Sequence, residues 1–174
     1  LQHIASLESL SADLVSPEQL RLFCKNTHNL TLVTYRSVEA EYTSSPSALS
    51  PAVTSALDDG ASAGVLYVLL RSAQAFRAER SHWPGAINVE EDVPILKQCV
   101  GEVLKELGIS GSPISDDWIH EFCRWAGAEL HSVGSILGGV AAQEAIKAVT
   151  HQYVPLNNTF VYNGATGTTS TIEV

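Results

Sequence analysis

Methionine is missing from all 174 residues, and the first residue is leucine. Translation starts with methionine, so we expect a processed product or a stretch of a longer polypeptide; the lack of a leader then says little about targeting. Basic residues are scarce. Ten Lys and Arg stand against 19 Asp and Glu, for a formal charge of −9, and they are scattered singly. That excludes the basic stripe of a nucleic-acid binder. Long apolar runs are missing too: only eleven residues separate His131 from Gln143 in the most apolar stretch. About 20 are needed to cross a bilayer, so no membrane partner is expected. Cysteine is sparse, with Cys24, Cys99 and Cys123 widely spaced and no C-x-x-C. An odd, dispersed set argues against a disulfide framework and fits a reducing compartment.

Several motifs that carry chemistry are absent as well. The chain has no G-x-G-x-x-G, no G-x-x-x-x-G-K-[ST] and no H-E-x-x-H. "GATGTTS", from Gly164, has the composition of a phosphate loop but lacks its lysine. No catalytic, cofactor-binding or metal-binding residue is expected. The alternatives weighed are a reactive Cys123 beside Arg124 and His120, and a metal held by His120, Cys123 and His131. Against both, Cys123 shares a helix face with Ile119, Phe122 and Ala126, while Cys24 sits with Leu20 and Phe23 and Cys99 with Leu96 and Val103. All three read as small core hydrophobes. Trp83 and Trp118 read as packing anchors. The N-x-T triplets at Asn29 and Asn157 are of a kind common by chance.

With 45 % hydrophobic residues, there is material for one domain, or one small domain plus part of another. Ser16-Pro17-Glu18-Gln19 predicts a helix start with a capping box and proline at its first position, ending near Asn26. Leu30–Ser37 predicts a strand. From Thr43 to Gly64 the composition shifts to Ser, Ala, Pro, Thr, Gly and Asp, which predicts a flexible surface loop with one short helix begun by Ser50-Pro51. Helices follow over 64–80 and 90–108, the second stopped by Gly108, and a third is capped at Ser115. After Thr150 the period changes. "QYVPL", "TFVYNG" and "TSTIEV" predict a hairpin turning at Asn157-Asn158, plus a closing strand.

The segment "SVGSILGGVAAQEAIKAV", Ser132 to Val149, has helical rhythm yet carries Gly134, Gly138 and Gly139. Each interior glycine costs a helix roughly 1 kcal/mol against alanine. Val133, Ile136, Leu137, Val140 and Ala148 form one stripe; Gly138, Ala142 and Ala145 form a second, Gly139 and Ile146 a third. A helix apolar or small nearly all round is buried on several faces. Gly134, Gly138 and Gly139 are therefore read as positions of close packing. Glu144 is read as an acid paired with Lys147 at i+3, with an acid anchoring a buried interface as the sharper alternative.

"LGGVAAQEAIKAVTHQYVPLNNTFVYNG" resembles the C-terminal helix and strands of adenylation domains in the ubiquitin-activating-enzyme family. "SPEQLRLFCKNTHNLTLVTYRSVEAEY", "VLYVLLRSAQAFRAERSHWPG" and "DDWIHEFCRWAGAELHSVGSILGG" resemble, in that order, the C-terminal part of the regulatory subunits of neddylation-activating enzymes. The resemblance covers nearly the whole chain and is weakest over Thr43–Gly64. It implies a mainly helical α+β chain. Residues 1–127 would be a helical insert domain; residues 128–174 would be the last helix and antiparallel edge strands of a pseudo-adenylation α/β domain. It also implies a non-catalytic subunit in a heterodimer whose catalytic partner binds ATP and magnesium and carries the active cysteine. The ubiquitin-like modifier would be met indirectly, in the cytoplasm with the nucleus as a second compartment. No cofactor would lie on this stretch. The other readings are a helical protein–protein interaction module unrelated to modifier activation, or a subunit of a related modifier-activating enzyme.

Overall fold

Ser16 is extended, at φ −68° and ψ 153°. Its hydroxyl accepts from the Gln19 N–H at 3.2 Å, and Gln19 Oε1 accepts from the Ser16 N–H at 2.8 Å. This reciprocal cap starts helix α1, Pro17–Asn26, which runs into a 3-10 turn at Thr27–Asn29. The computed structural model describes residues 15–29, 32–33, 37, 39, 50–57, 63–111 and 113–172. Most of the strand expected over Leu30–Ser37 and much of the Thr43–Gly64 stretch lie outside the described residues. Two units are distinguished, residues 1–33 and 34–174; α1 belongs to the first.

In the second unit, the short helix expected at Ser50-Pro51 is α2, Ser50–Leu57. Helices α3, Ala63–Arg80, α4, Val89–Glu106, and α5, Asp116–Trp125, pack in succession, α3 on α4 and α4 on α5. The Asn88 side chain caps α4 by accepting from the Glu90 N–H, and Glu90, Glu91 and Asp92 set negative charge at the helix's positive end. At the other end Gly108 adopts φ +68°. Its N–H reaches Lys105 O, and the Ile109 N–H reaches Leu104 O, which closes a Schellman motif. Ser115 caps α5, its hydroxyl accepting from the Trp118 N–H at 3.4 Å.

The core gathers Val53 and Leu57 of α2, Val65, Val68, Leu69 and Phe76 of α3, and Leu96, Val100, Val103 and Leu104 of α4. Ile119 and Cys123 of α5 close it from the other side. Fully burying each large apolar side chain contributes about 1.5–3 kcal/mol. Val161 and Ile172 join this cluster from the C-terminal strands.

Those strands are β1, Thr159–Asn163, and β2, Thr168–Ile172, paired antiparallel with Thr159 opposite Ile172 and Asn163 opposite Thr168. The face holding Val161, Asn163 and Ile172 is turned inward, and both strands lie against α3. The hairpin therefore turns at 164–167, not at Asn157-Asn158 as the sequence suggests. Asn163 Oδ1 accepts from the Ala165 and Thr166 N–H groups, and Gly167 supplies φ +69°. Asn158 does take a positive φ, +77°, but ahead of the pair. "QYVPL" forms no strand, for three local reasons. Pro155 has no N–H to donate, Tyr153 sits at φ +65°, and the Leu156 N–H is already given to Glu144 at 2.8 Å.

Helix α6, His131–Thr150, links α5 to the hairpin. Not one of its residues is buried. Val133, Val140, Glu144 and Lys147 are half-buried along one stripe. This stripe carries its fastenings: Gly164 of the hairpin turn lies against Val133, and Glu144 holds the Leu156 N–H.

Candidate functional site

The cysteines lie where a core reading puts two of them. Cys123 is 0 % exposed, and its thiol reaches toward Val89 O at 4.0 Å. Burial, with the Asp92 carboxylate adding, pushes the thiol pKa up to about 11. Cys99 is buried, and its pKa is raised first by that burial and then by Glu102 and Glu79. Cys24, by contrast, is exposed on α1, although its neighbours suggested a core position. A thiol held protonated is a poor nucleophile. Iodoacetamide at neutral pH is accordingly expected to modify Cys24 first, with Cys99 and Cys123 reacting only on unfolding, as read by peptide mass mapping. Native Cys123 labelling as fast as Cys24 would overturn its assignment to the core.

The His120, Cys123 and His131 set is not assembled. His120 Nε2 lies 3.9 Å from Glu90 Oε1, His131 opens α6, and among the described residues no three His, Cys, Asp or Glu side chains are placed to hold a metal. "GATGTTS" is the hairpin turn and β2, with its Ala165 and Thr166 N–H groups committed to Asn163. Residues 60–64 spell G-x-S-x-G, against the expectation that this motif is absent. A nucleophile elbow follows a strand, whereas helix α2 precedes this run, and 60–62 lie outside the described residues. Trp83 is a packing anchor: the Arg77 guanidinium stands 4.6 Å over its ring, and a Cβ on Gly127 would lie 3.3 Å from Trp83 Cβ. Trp118 is partly buried against the core.

The surface of α6 is the feature most in need of a partner. Ile136, Leu137 and Ile146 are exposed, and Val149, Tyr153 and Val154 extend the apolar surface past the helix end, with Val149 at 80 % and Tyr153 at 84 %. The last three were not singled out by the helical rhythm, since two of them follow the helix. Tyr153 is also held in the left-handed region, an unfavourable place for a bulky residue. A Cβ added at Gly134, Gly138 or Gly139 would meet nothing within 4 Å. Among the described residues, then, no element takes up the close approach that these glycines allow. Apolar patches of this kind mark interaction surfaces.

Glu144 pairs with Lys147 at 2.6 Å, as the i+3 spacing suggests. The hydrogen bond from Lys147, then that from the Leu156 N–H, holds its carboxyl below the usual range, against the opposing effect of burial. The acid thus does more than neutralise a lysine. It ties the segment after α6 back onto the helix and so fixes where Tyr153 and Val154 are presented.

No family model matches the chain. Curated relatives do. It is 45 % identical over 162 residues, 92 % of its length, to the NEDD8-activating enzyme E1 regulatory subunit of Danio rerio. It is 40 % identical over 162 residues, again 92 %, to that of Xenopus laevis, and 40 % identical over 147 residues, 83 %, to the regulatory subunit AXR1 of Arabidopsis thaliana. The chain spans 30 %, 30 % and 27 % of the length of these relatives. Over the stretch it spans, the chain belongs to the family of NEDD8-activating enzyme E1 regulatory subunits.

Proposed function

We propose that this chain is the C-terminal part of a regulatory subunit that pairs with a catalytic subunit to activate a ubiquitin-like modifier. The observation that carries the reading is the likeness to regulatory subunits along nearly the whole chain. On this reading ATP and magnesium are bound, and the thioester is formed, on the catalytic partner. The buried, protonated state of Cys123 supports that division of labour. Residues 128–174 supply the last helix and edge strands of a pseudo-adenylation domain. The sides of α6 that carry Gly134, Gly138 and Gly139 are covered by sheet and neighbouring elements from elsewhere in the same polypeptide. The complex works in the cytoplasm, with the nucleus as a second compartment.

The test is modifier-dependent ATP–pyrophosphate exchange by a candidate catalytic subunit, with and without the full-length protein. Exchange is expected to need both subunits. A catalytic subunit equally active alone would remove the regulatory role and favour a plain helical interaction module.

A further inference from the structure

Helices α3 and α4 leave a groove between them. Arg71, Gln74, Ala75 and Ala78 line it from α3; Cys99, Glu102, Val103 and Glu106 line it from α4. Both sets fall at i, i+3, i+4 and i+7, so each wall is one helix face followed for two turns. The cleft is about 320 Å³. It stays open because Ala75 and Ala78 are too small to bridge to α4.

The floor is apolar, from Ala75, Ala78, Cys99 and Val103, and the rim is polar. Arg71 is 7 % exposed and spends its charge inside the wall: its Nη2 stands 3.6 Å from Glu106 Oε2, and its Nη1 donates to Tyr67 Oη at 3.4 Å. This contact fixes Glu106 at the mouth. Glu102 faces the groove, so its lining sets two carboxylates, Glu102 and Glu106, against the one guanidinium of Arg71, in a chain whose formal charge is −9.

An apolar floor between helical walls two turns long is the receiving half of a helix-in-groove contact. A negative rim selects a helix with a basic edge, because opposite potentials steer and register such pairs. Carboxylates on the rim turn anionic membranes and nucleic acids away from this groove. We propose that the α3–α4 groove is a docking site for a basic amphipathic helix of a second protein, separate from whatever covers α6.

The test uses the full-length protein and a fluorescent peptide of about four helical turns built from Leu, Ala and Lys, with a twin in which every Lys is Glu. Anisotropy titrations are expected to show the lysine peptide binding at least about fivefold tighter than its twin, with the gap closing as salt rises. Glu102→Lys is expected to weaken the lysine peptide by about fivefold, and Ala78→Arg, which fills the groove, by more. Both positions are exposed, so neither variant threatens folding. Glu129→Lys, at the foot of α6, should change nothing. Equal binding of the twins, binding untouched by Ala78→Arg, a footprint by hydrogen exchange on α6 instead, or no binding because the chain's own residues fill the groove would each overturn the proposal.

Discussion

Alanine at Gly85 is expected to destabilise the 34–174 unit by about 3 kcal/mol. Two costs add there. Gly85 lies at φ +76°, where a Cβ crowds the following carbonyl and costs about 1–2 kcal/mol. Its Cβ would also fall 2.1 Å from the Cys123 carbonyl oxygen and 3.0 Å from that carbonyl carbon. The partner is backbone in the last turns of α5, so no side chain can swing aside. Neither can the loop withdraw cheaply. Pro84 is fully buried, the Gly85 N–H is given to the buried Asp92 carboxylate at 2.9 Å, and Trp83 is held under Arg77. Overpacking of this sort adds about 1–3 kcal/mol. Gly111 is the internal control, at φ +93° with nothing within 4 Å of an added Cβ. Gly111→Ala should show the backbone strain alone, about 1–2 kcal/mol. Urea unfolding of both variants separates the two costs. Equal losses would mean that the close approach of Gly85 to Cys123 does not exist in solution.

The contrast between these glycines also marks what could be read from the sequence. Ser16, Ser115 and Gly108 act through bonds to residues at most a few positions away, so their roles follow from spacing alone. The core faces of α4 and α5 were legible for a related reason, since the 3.6-residue period puts Leu96, Val103, Ile119 and Cys123 on one side. Gly85 was not legible. Its role depends on α5, nearly forty positions on, arriving against the loop, and no local pattern encodes that approach. The hairpin turn failed differently. Asn157-Asn158 has the right chemistry for a turn, but Glu144 removes the Leu156 N–H from any ladder, and the side chain of Asn163 organises a competing turn four residues past the start of β1. A tertiary hydrogen bond overrode a sound local signal. At the candidate docking surface, the all-round apolarity of α6 was plain from composition, whereas the presentation of Tyr153 required the Glu144 tie.

Leucine at both Gly138 and Gly139 is expected to act in opposite directions in two settings, and the difference tests the proposed cover of α6. In this chain alone a Cβ at either position meets nothing within 4 Å, and both positions are exposed. Replacing glycine there removes a helix penalty of about 1 kcal/mol per site. The chain should gain helicity by circular dichroism and lose no stability. In the full-length protein the proposed cover would lie against both of these sides, at a separation that only a hydrogen side chain allows. Leucine would then force the layers apart at about 1–3 kcal/mol per site. Because the displaced helix leads directly into the hairpin seated on α3, the strain would reach the helical unit as well. The full-length double variant is therefore expected to melt earlier and to lose ATP–pyrophosphate exchange with the catalytic subunit, while Gly138→Ala alone has a smaller effect of the same sign. A full-length double-leucine variant as stable and as active as the parent would show that these two sides stay in water throughout the protein. The glycines would then be a cost with no packing to offset it.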